Sequence, residues 1–448
     1  MATFPPDRAA LWKEAVADCD PVEVRGRVVR VVGLLVESSG PAAAVGELCA
    51  LAAGDVLFGM AEVVGFREGI TLLMPLGGMD GIRPGLEVVA TGKPLMVPVG
   101  PHLVGRVLDG LGNPLDGLAL PGGMRRPITG RPPHPLRRSR IDKPMGTGIR
   151  ALDGFLSLAR GQRMGIFAGS GVGKSVLLGM LAKRCEAEVN VICLIGERGR
   201  EVREFLERDL GEEGMKRSVV ICATSDQPAV VRVKAAFTAT TIAEWFREQG
   251  KDVLLMMDSS TRLAMAQREI GLAIGEPPAT KGYTPSVFAL LPQVFERAGT
   301  SETGSITGLY TVLVDGDDLE EPVADAIRSI LDGHVVLSRD LANKNHFPAI
   351  DVLRSISRCM TDVVDDEHRK SAREIMSLMS IYRENEDLVT LGAYQKGSDA
   401  RLDLAIKLRD RWQAYLRQDR EETSSFPLAC SELQKLGMAA RAPVGGRK

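Results

Sequence analysis

The pattern of apolar and polar positions changes twice along the chain. From Arg25 to about Leu95, short β-rich runs (GRVVRVVGLLVE, GDVLFGMAEVVGF, GITLLMPL and GLEVVATG) are separated by glycines. Short strands at near-regular spacing with turn residues between them predict a small β-barrel. From about Gly148 to Arg358, continuous apolar runs alternate with helical patterns, which predicts a parallel sheet with helices on both faces. After residue 365 the spacing turns helical. In the stretch 399–417, Leu402, Ala405, Leu408, Trp412 and Tyr415 recur at intervals of three and four, so an α-helical C-terminal domain is expected.

Two further stretches fit neither pattern. Residues 7–17 carry Leu11, Trp12, Ala15 and Val16 on one side of a short helix that ends before Asp20 and Pro21. Such a helix is either a docking segment or one that folds back on its own chain. Between Gly100 and Pro144 the composition shifts to Gly, Pro and Arg, as in GLGNPLDG and RRPITGRPPHPLRRSR, and is read as connecting chain on the surface. The expected organisation is therefore a multidomain α/β chain. It comprises a helical segment at 1–21, a barrel at 22–97, a connection at 98–147, an α/β core at 148–364 and a helical domain at 365–448 with a flexible tail.

Composition narrows the function classes. With 448 residues the chain is long enough for two or three cores. Hydrophobic residues at 44% and charged residues at 25% are a folded-protein balance, and only 4% aromatics leaves aliphatic side chains to fill the interior. A net charge of −2 with no long block of either sign argues against a dedicated nucleic-acid surface. The arginines of the connecting stretch are interrupted by prolines and lack interleaved aromatics, unlike a single-strand binder. Apolar runs such as Val253 to Met257 are far shorter than the roughly 20 residues of a membrane helix, and the opening MATFPPDRAALWKEAV does not read as a secretory signal. The seven cysteines have no C-x-x-C spacing, so zinc is not expected and reduced thiols are.

The chemistry is carried by RMGIFAGSGVGKSVLLGMLAKR. An apolar strand (Met164 to Phe167) runs into a glycine-rich turn and a helix starting near Lys174, the context a phosphate-binding loop requires. Gly169, Ser170, Gly171, Val172 and Gly173 would turn successive N–H groups toward phosphate oxygens, with Val176 following on the helix and the positive end of the helix dipole behind them. Lys174 would meet the β and γ phosphates of ATP, and the Ser175 hydroxyl would ligate Mg²⁺. Ala168 stands where the motif has its first glycine. A second strand, DVLLMMDSSTR, ends on Asp258, which either holds the Mg²⁺ shell or caps the next helix. A third, VNVICLIGERGREVREF, places Glu197 and Arg198 directly after a strand, and a carboxylate there could orient or deprotonate the attacking water. Composition alone does not choose Glu197 over Glu201 or Glu204, since glutamates favour a first helical turn.

Together with MDSSTRLAMAQREI, GYTPSVFALLPQVFERAG, GDDLEEPVADAIRSILDGHVVLSR and FPAIDVLRSISR, these motifs resemble the flagellar and type III secretion export ATPases, relatives of the rotary ATP synthase catalytic subunit. The resemblance spans roughly residues 22–420. It implies a barrel, a RecA-like nucleotide-binding domain and a helical C-terminal domain. It further implies that Lys174, Ser175 and Asp258 bind MgATP, that Glu197 is the catalytic carboxylate, and that Arg198 and Arg262 reach the γ phosphate. Phe347 matches the aromatic that stacks on adenine, although by itself it reads better as an ordinary core phenylalanine. Arg358 matches an arginine inserted in trans into a neighbour's site, a reading favoured over that of a surface arginine in a salt bridge. The loop AGSGVGKS and the segment GAYQKGSDARLDLAI are most similar to the flagellar branch.

What this implies is a homohexamer on the cytoplasmic face of the inner membrane. Its implied partners are a regulator on the N-terminal segment, a central stalk protein, chaperone–substrate complexes and a membrane export gate. Two other functions share the core: a proton-coupled synthase subunit, and a ring translocase on nucleic acid, which the near-neutral charge disfavours. A non-catalytic ring subunit would lack Lys174, Ser175 or Glu197, and all three are present.

Overall fold

The computed structural model describes residues 24–314 and 318–441. The helix expected at 7–17, part of the GDD motif and the C-terminal tail lie outside the described residues. The chain forms two compact units that meet in sequence at Leu95 and Met96.

The first unit is a closed six-stranded barrel. Its strands are β1 (Arg25–Val32), β2 (Leu35–Ser38), β3 (Glu47–Ala53), β4 (Val56–Arg67), β5 (Ile70–Pro75) and β6 (Glu87–Pro94), in the order β1-β2-β5-β4-β3-β6 with every pair antiparallel. Closure leaves no free edge. Inward-facing Val28, Val36, Leu51, Val63, Leu73 and Val88 form the core, the period-2 outcome of the alternating runs.

The second unit is built on a nine-stranded sheet. It contains β7 (Val107–Asp109), β8 (Arg163–Ala168), β9 (Val189–Ile195), β10 (Ser218–Ala223), β11 (Asp252–Asp258), β12 (Gly299–Thr300), β13 (Ser305–Leu313), β14 (Gly333–Leu337) and β15 (Ile356–Ser357). Along the sheet the order is β15-β14-β8-β13-β11-β9-β10-β7, with β12 pairing with β13 alone. The pairs from β14 to β7 are parallel. One strand, β7, comes from the stretch read as connection. Its Val-Leu-Asp run adds an edge to the sheet, which glycine- and proline-rich flanks concealed.

The principal helices are α1 (Arg150–Phe155), α2 (Lys174–Arg184), α3 (Gly199–Glu204), α4 (Ala229–Glu248), α5 (Ser260–Ile274), α6 (Pro285–Phe295), α7 (Pro322–Ile330), α8 (Asp366–Glu384), α9 (Ala400–Leu416) and α10 (Phe426–Arg441). Side-chain caps set several starts: the Ser259 hydroxyl accepts from the Arg262 N–H, and Asp365 and Asp399 accept from the N–H groups of His368 and Leu402. On α9 the five residues picked out by helical spacing are all buried.

The sheet is apolar on both faces, as strands covered on both sides must be. Alternate residues Met164, Ile166, Ile192, Leu194, Leu254 and Met256 share one hydrophobic cluster with α1, α2 and the three C-terminal helices. Those helices are thus continuous with the core of the α/β unit. The junction is also polar. The Arg150 guanidinium donates to the carbonyls of Tyr415 and Arg417, the Gln418 amide bonds Gly148 and Arg150, and the His368 ring meets the Gly154 carbonyl.

The connecting stretch is anchored by a buried ion pair. The Arg297 guanidinium donates to both carboxylate oxygens of Glu244 (2.9 and 2.5 Å), to the Thr241 hydroxyl and to the Ile128 carbonyl. A Cβ on Gly130 would fall 2.5 Å from this guanidinium, so glycine lets the chain cross it. Arg297→Ala, which strands the buried Glu244 carboxylate, is expected to cost about 3–5 kcal/mol in urea unfolding, whereas Arg297→Met with Glu244→Leu should recover most of that loss.

Candidate active site

Three parallel strands end side by side at one rim of the sheet, where ligands bind in open α/β folds. β8 leads through Gly169–Gly173 into α2, β9 leads through Gly196 to Glu197, and β11 ends on Asp258. Gly171 and Gly173 take left-handed backbone angles (φ +78° and +92°), which aim the loop amides inward at little steric cost. The loop, Lys174, Ser175, Val176, Glu197, Arg198, Glu201 and Arg262 surround a cavity of about 470 Å³. Ser175 and Val176 are exposed at the start of the helix.

The Lys174 ammonium is the charge centre. It lies 2.5 Å from Asp258 Oδ1 and 3.5 Å from Glu197 Oε1, and all three side chains are largely buried. Burial disfavours the ammonium, but the Asp258 and Glu197 carboxylates outweigh it and raise the Lys174 pKa. For Glu197, burial pushes the carboxyl up to about 7, against the pull of Lys174 and with the repulsion of Asp258. The Glu201 carboxyl hydrogen-bonds Glu197 and is itself lowered by that bond. A carboxyl titrating near neutrality beside a bound polyphosphate is what proton abstraction from water requires.

Two supporting residues escaped sequence reasoning. The Thr311 hydroxyl, on β13, donates to Asp258 Oδ1 at 2.7 Å and fixes the carboxylate; a threonine in an apolar strand gives no signal of this. Gly196 (φ +70°) makes room for Arg262, whose side chain a Cβ there would meet at 3.0 Å. Arg262 Nε is buried without a partner at the cavity wall.

The remaining residues are spread more widely. Arg198 stands on the rim, mostly exposed and paired with Glu201 at 3.2 Å. Phe347 lines an adjoining cavity of about 330 Å³ whose apolar walls include Val172, Val176, Met180 and Pro348. The ring is partly exposed and stands against Gly173 of the loop, so it presents an aromatic surface beside the phosphate loop. Arg358 is elsewhere. It follows β15, where Ser357 pairs with Gly333, while the phosphate loop leaves β8 beyond Ala168, level with Leu337. Four residues of strand separate the two levels, about 13 Å at the usual rise. Arg358 therefore lies at the opposite end of the sheet from the loop of its own chain, and it is exposed.

The donor set of loop amides, one ammonium, one hydroxyl and one strand-end carboxylate suits a triphosphate with a hard divalent cation. Among the described residues no three or more His, Cys, Asp or Glu side chains form a metal cage. Mg²⁺ shared with substrate phosphates needs only one or two protein oxygens.

Comparison with known proteins agrees with this reading. Residues 148–357 match the ATP synthase alpha/beta family nucleotide-binding domain, residues 28–92 the beta-barrel domain of that family, and residues 364–435 the T3SS EscN ATPase C-terminal domain. The chain is 53% identical to the flagellum-specific ATP synthase of Bacillus subtilis, over 94% of this chain and 98% of the relative. It is 52% identical to the type 3 secretion system ATPase of Xanthomonas euvesicatoria, over 90% and 91%. The assembled ATPase EscN from the enteropathogenic E. coli type III secretion system superposes with a TM-score of 0.88 at 44% identity, covering 92% of this chain and 100% of that one. Barrel, parallel sheet and helical domain thus stand as the sequence led one to expect.

Because the folded Glu197 carboxyl titrates above its ordinary value, the stability it lends is complete at low pH and is lost as pH rises through about 7. Glu197→Gln is expected to raise the unfolding free energy of the protein without nucleotide at pH 8 by about 1 kcal/mol or more, with the gain shrinking as pH falls below about 7 and vanishing only below the ordinary carboxyl range, about pH 4, in denaturant titrations. A substitution that is neutral at both pH values would contradict the buried, proton-holding carboxyl.

Proposed function

Belonging as it does to the flagellar and type III secretion ATPase family, the chain is a P-loop ATPase, and we propose that it hydrolyses MgATP as a homohexameric ring that powers flagellar protein export. Loop amides 169–173 and Lys174 hold the β and γ phosphates, Phe347 covers the adenine, and Ser175 and Asp258 are the protein oxygens for Mg²⁺. When bound, that ion neutralises charge between the phosphates. Glu197 takes the proton from a water whose oxygen bonds to the γ phosphorus as the bond to the ADP oxygen breaks. Arg262 and Arg198 lie where they can meet the γ oxygens, and Thr311 keeps Asp258 in position.

The observation that carries the ring is Arg358. At the far end of its own sheet it has no phosphate loop to serve, whereas in a ring that end can face the loop of the next chain. An arginine acting in this way contributes about 10³ to 10⁵ in rate. The flagellar branch is supported by the Bacillus subtilis relative and by a flagellum-specific ATP synthase of Treponema pallidum, 49% identical over 98% of this chain. EscN has also been solved with its central stalk EscO, which supports a stalk protein as a partner here. A regulator on the N-terminal segment, chaperone–substrate complexes and an export gate at the inner membrane complete the reading. Among the described residues no helix is long and apolar enough to cross a membrane, so attachment there would be peripheral and through partners.

The test is ATPase rate per chain against protein concentration, with native mass measured in parallel. Specific activity should climb as hexamers form, and Arg358→Ala should lower it by about 10³ while the ring persists. A monomer rate that is independent of concentration and untouched by the substitution refutes the shared site. Glu197→Gln should keep nucleotide affinity and reduce turnover by at least about 10². In the wild type kcat/KM should rise with pH through about 7, as Glu197 loses its proton.

A further inference from the structure

A second, larger cavity of about 530 Å³ lies where the segment 338–354 meets α8 and α9. Its electrostatics are unbalanced. Arg383 is neutralised by Asp351 (2.8 Å) and Lys344 is near Glu386 (3.4 Å). Arg354, Arg409 and Arg417 also line it, and none has an ion pair with a lining carboxylate; Arg409 reaches only the exposed Asp410, at 3.9 Å. Asp340 is the remaining acid, so the walls carry an excess of positive charge.

Two buried nitrogens without partners point to a ligand. His346 is 95% buried from solvent by its 5% exposure, and its Nε2 has no hydrogen-bond partner. Arg409 Nε is likewise buried and unpartnered, its guanidinium lying 5.0 Å over the Tyr382 ring. Unsatisfied buried donors are costly and call for a partner. Burial, aided by Arg417, pushes His346 down to about 4, so at neutral pH the ring is uncharged and can present an N–H.

We propose that this cavity binds a tetrahedral oxyanion, inorganic phosphate or the phosphate group of a small monoester, held by Arg354, Arg409 and Arg417 with His346 Nε2 completing the set. Guanidinium forks match phosphate oxygens in geometry and charge. The Trp412 and Tyr382 rings, 6.3 Å apart and edge to face, offer an apolar wall for an ester's organic part. His346 is the neighbour of Phe347, so the anion would bear on the loop that covers the base, and each ligand would then alter the affinity of the other equally.

Calorimetric titration of the full chain, with the phosphate loop filled by Mg²⁺ and a non-hydrolysable ATP analogue, tests this with inorganic phosphate and with phenyl phosphate. One site per chain is expected, and it should persist in Lys174→Ala without the analogue. Arg409→Lys and the exposed Arg417→Gln, both mild enough to keep the fold as judged by unchanged melting, should each weaken it about tenfold or more. Tighter binding of phenyl phosphate assigns the site to an ester; equal or weaker binding assigns it to the free anion. Absence of binding by both probes, or binding that neither substitution changes, overturns the proposal.

Discussion

A single buried ammonium organises the catalytic rim. Lys174 sits between Asp258 and Glu197 because three strand ends converge there, and each partner is meaningful only through the others. Without the ammonium, two carboxylates would share a largely buried space at a cost of several kcal/mol. Without the carboxylates, the lysine would have to give up its proton. The loop glycines, the Thr311 hydroxyl and the space left by Gly196 serve to hold these three groups in register. A polyphosphate arriving at the loop must compete with this internal pairing for the lysine. Weakly charged anions gain too little to displace it, which favours a ligand with several negative charges.

Much of this was legible in the chain, and for identifiable reasons. Motifs that work by backbone geometry, such as AGSGVGKS, show in sequence because glycine and lysine are needed at fixed offsets. Strand ends such as Asp258 show because a polar residue interrupts an apolar run. Helix α9 shows through its spacing. Thr311 and Gly196 did not show, since their work depends on neighbours distant in sequence. Edge strand β7 was hidden by its flanks, where three residues are too few to establish a period. The two arginines differ in the same way: Arg262 follows the Ser259 cap at the cavity wall, whereas Arg198 stands on the rim, paired with Glu201.

The separation of Phe347 from Arg358 follows from the sheet itself. The ten residues between them run from the loop rim, past the cavity behind His346, to the opposite edge at β15. One short segment therefore touches the cavity at Phe347, the basic cavity and the surface that carries Arg358. A shift at any of these points has a direct covalent route to the others, with no need for a chain of side-chain contacts.

The shared hydrophobic cluster has a further meaning for how the molecule is made and degraded. Ile375, Leu378, Trp412 and Leu433 belong to the same cluster as α1 and, on the sheet, Met164 and Ile166; the three helices that carry them pack on α1. During synthesis α1, on which these helices pack, is complete about 270 residues before α10 begins, and the apolar side of it that they cover stays exposed until they arrive. The nascent chain thus passes through a long interval as an adhesive intermediate, in which a chaperone has a natural place to bind. A protease that removed the final three helices would likewise leave behind an aggregation-prone remnant and not a smaller working enzyme.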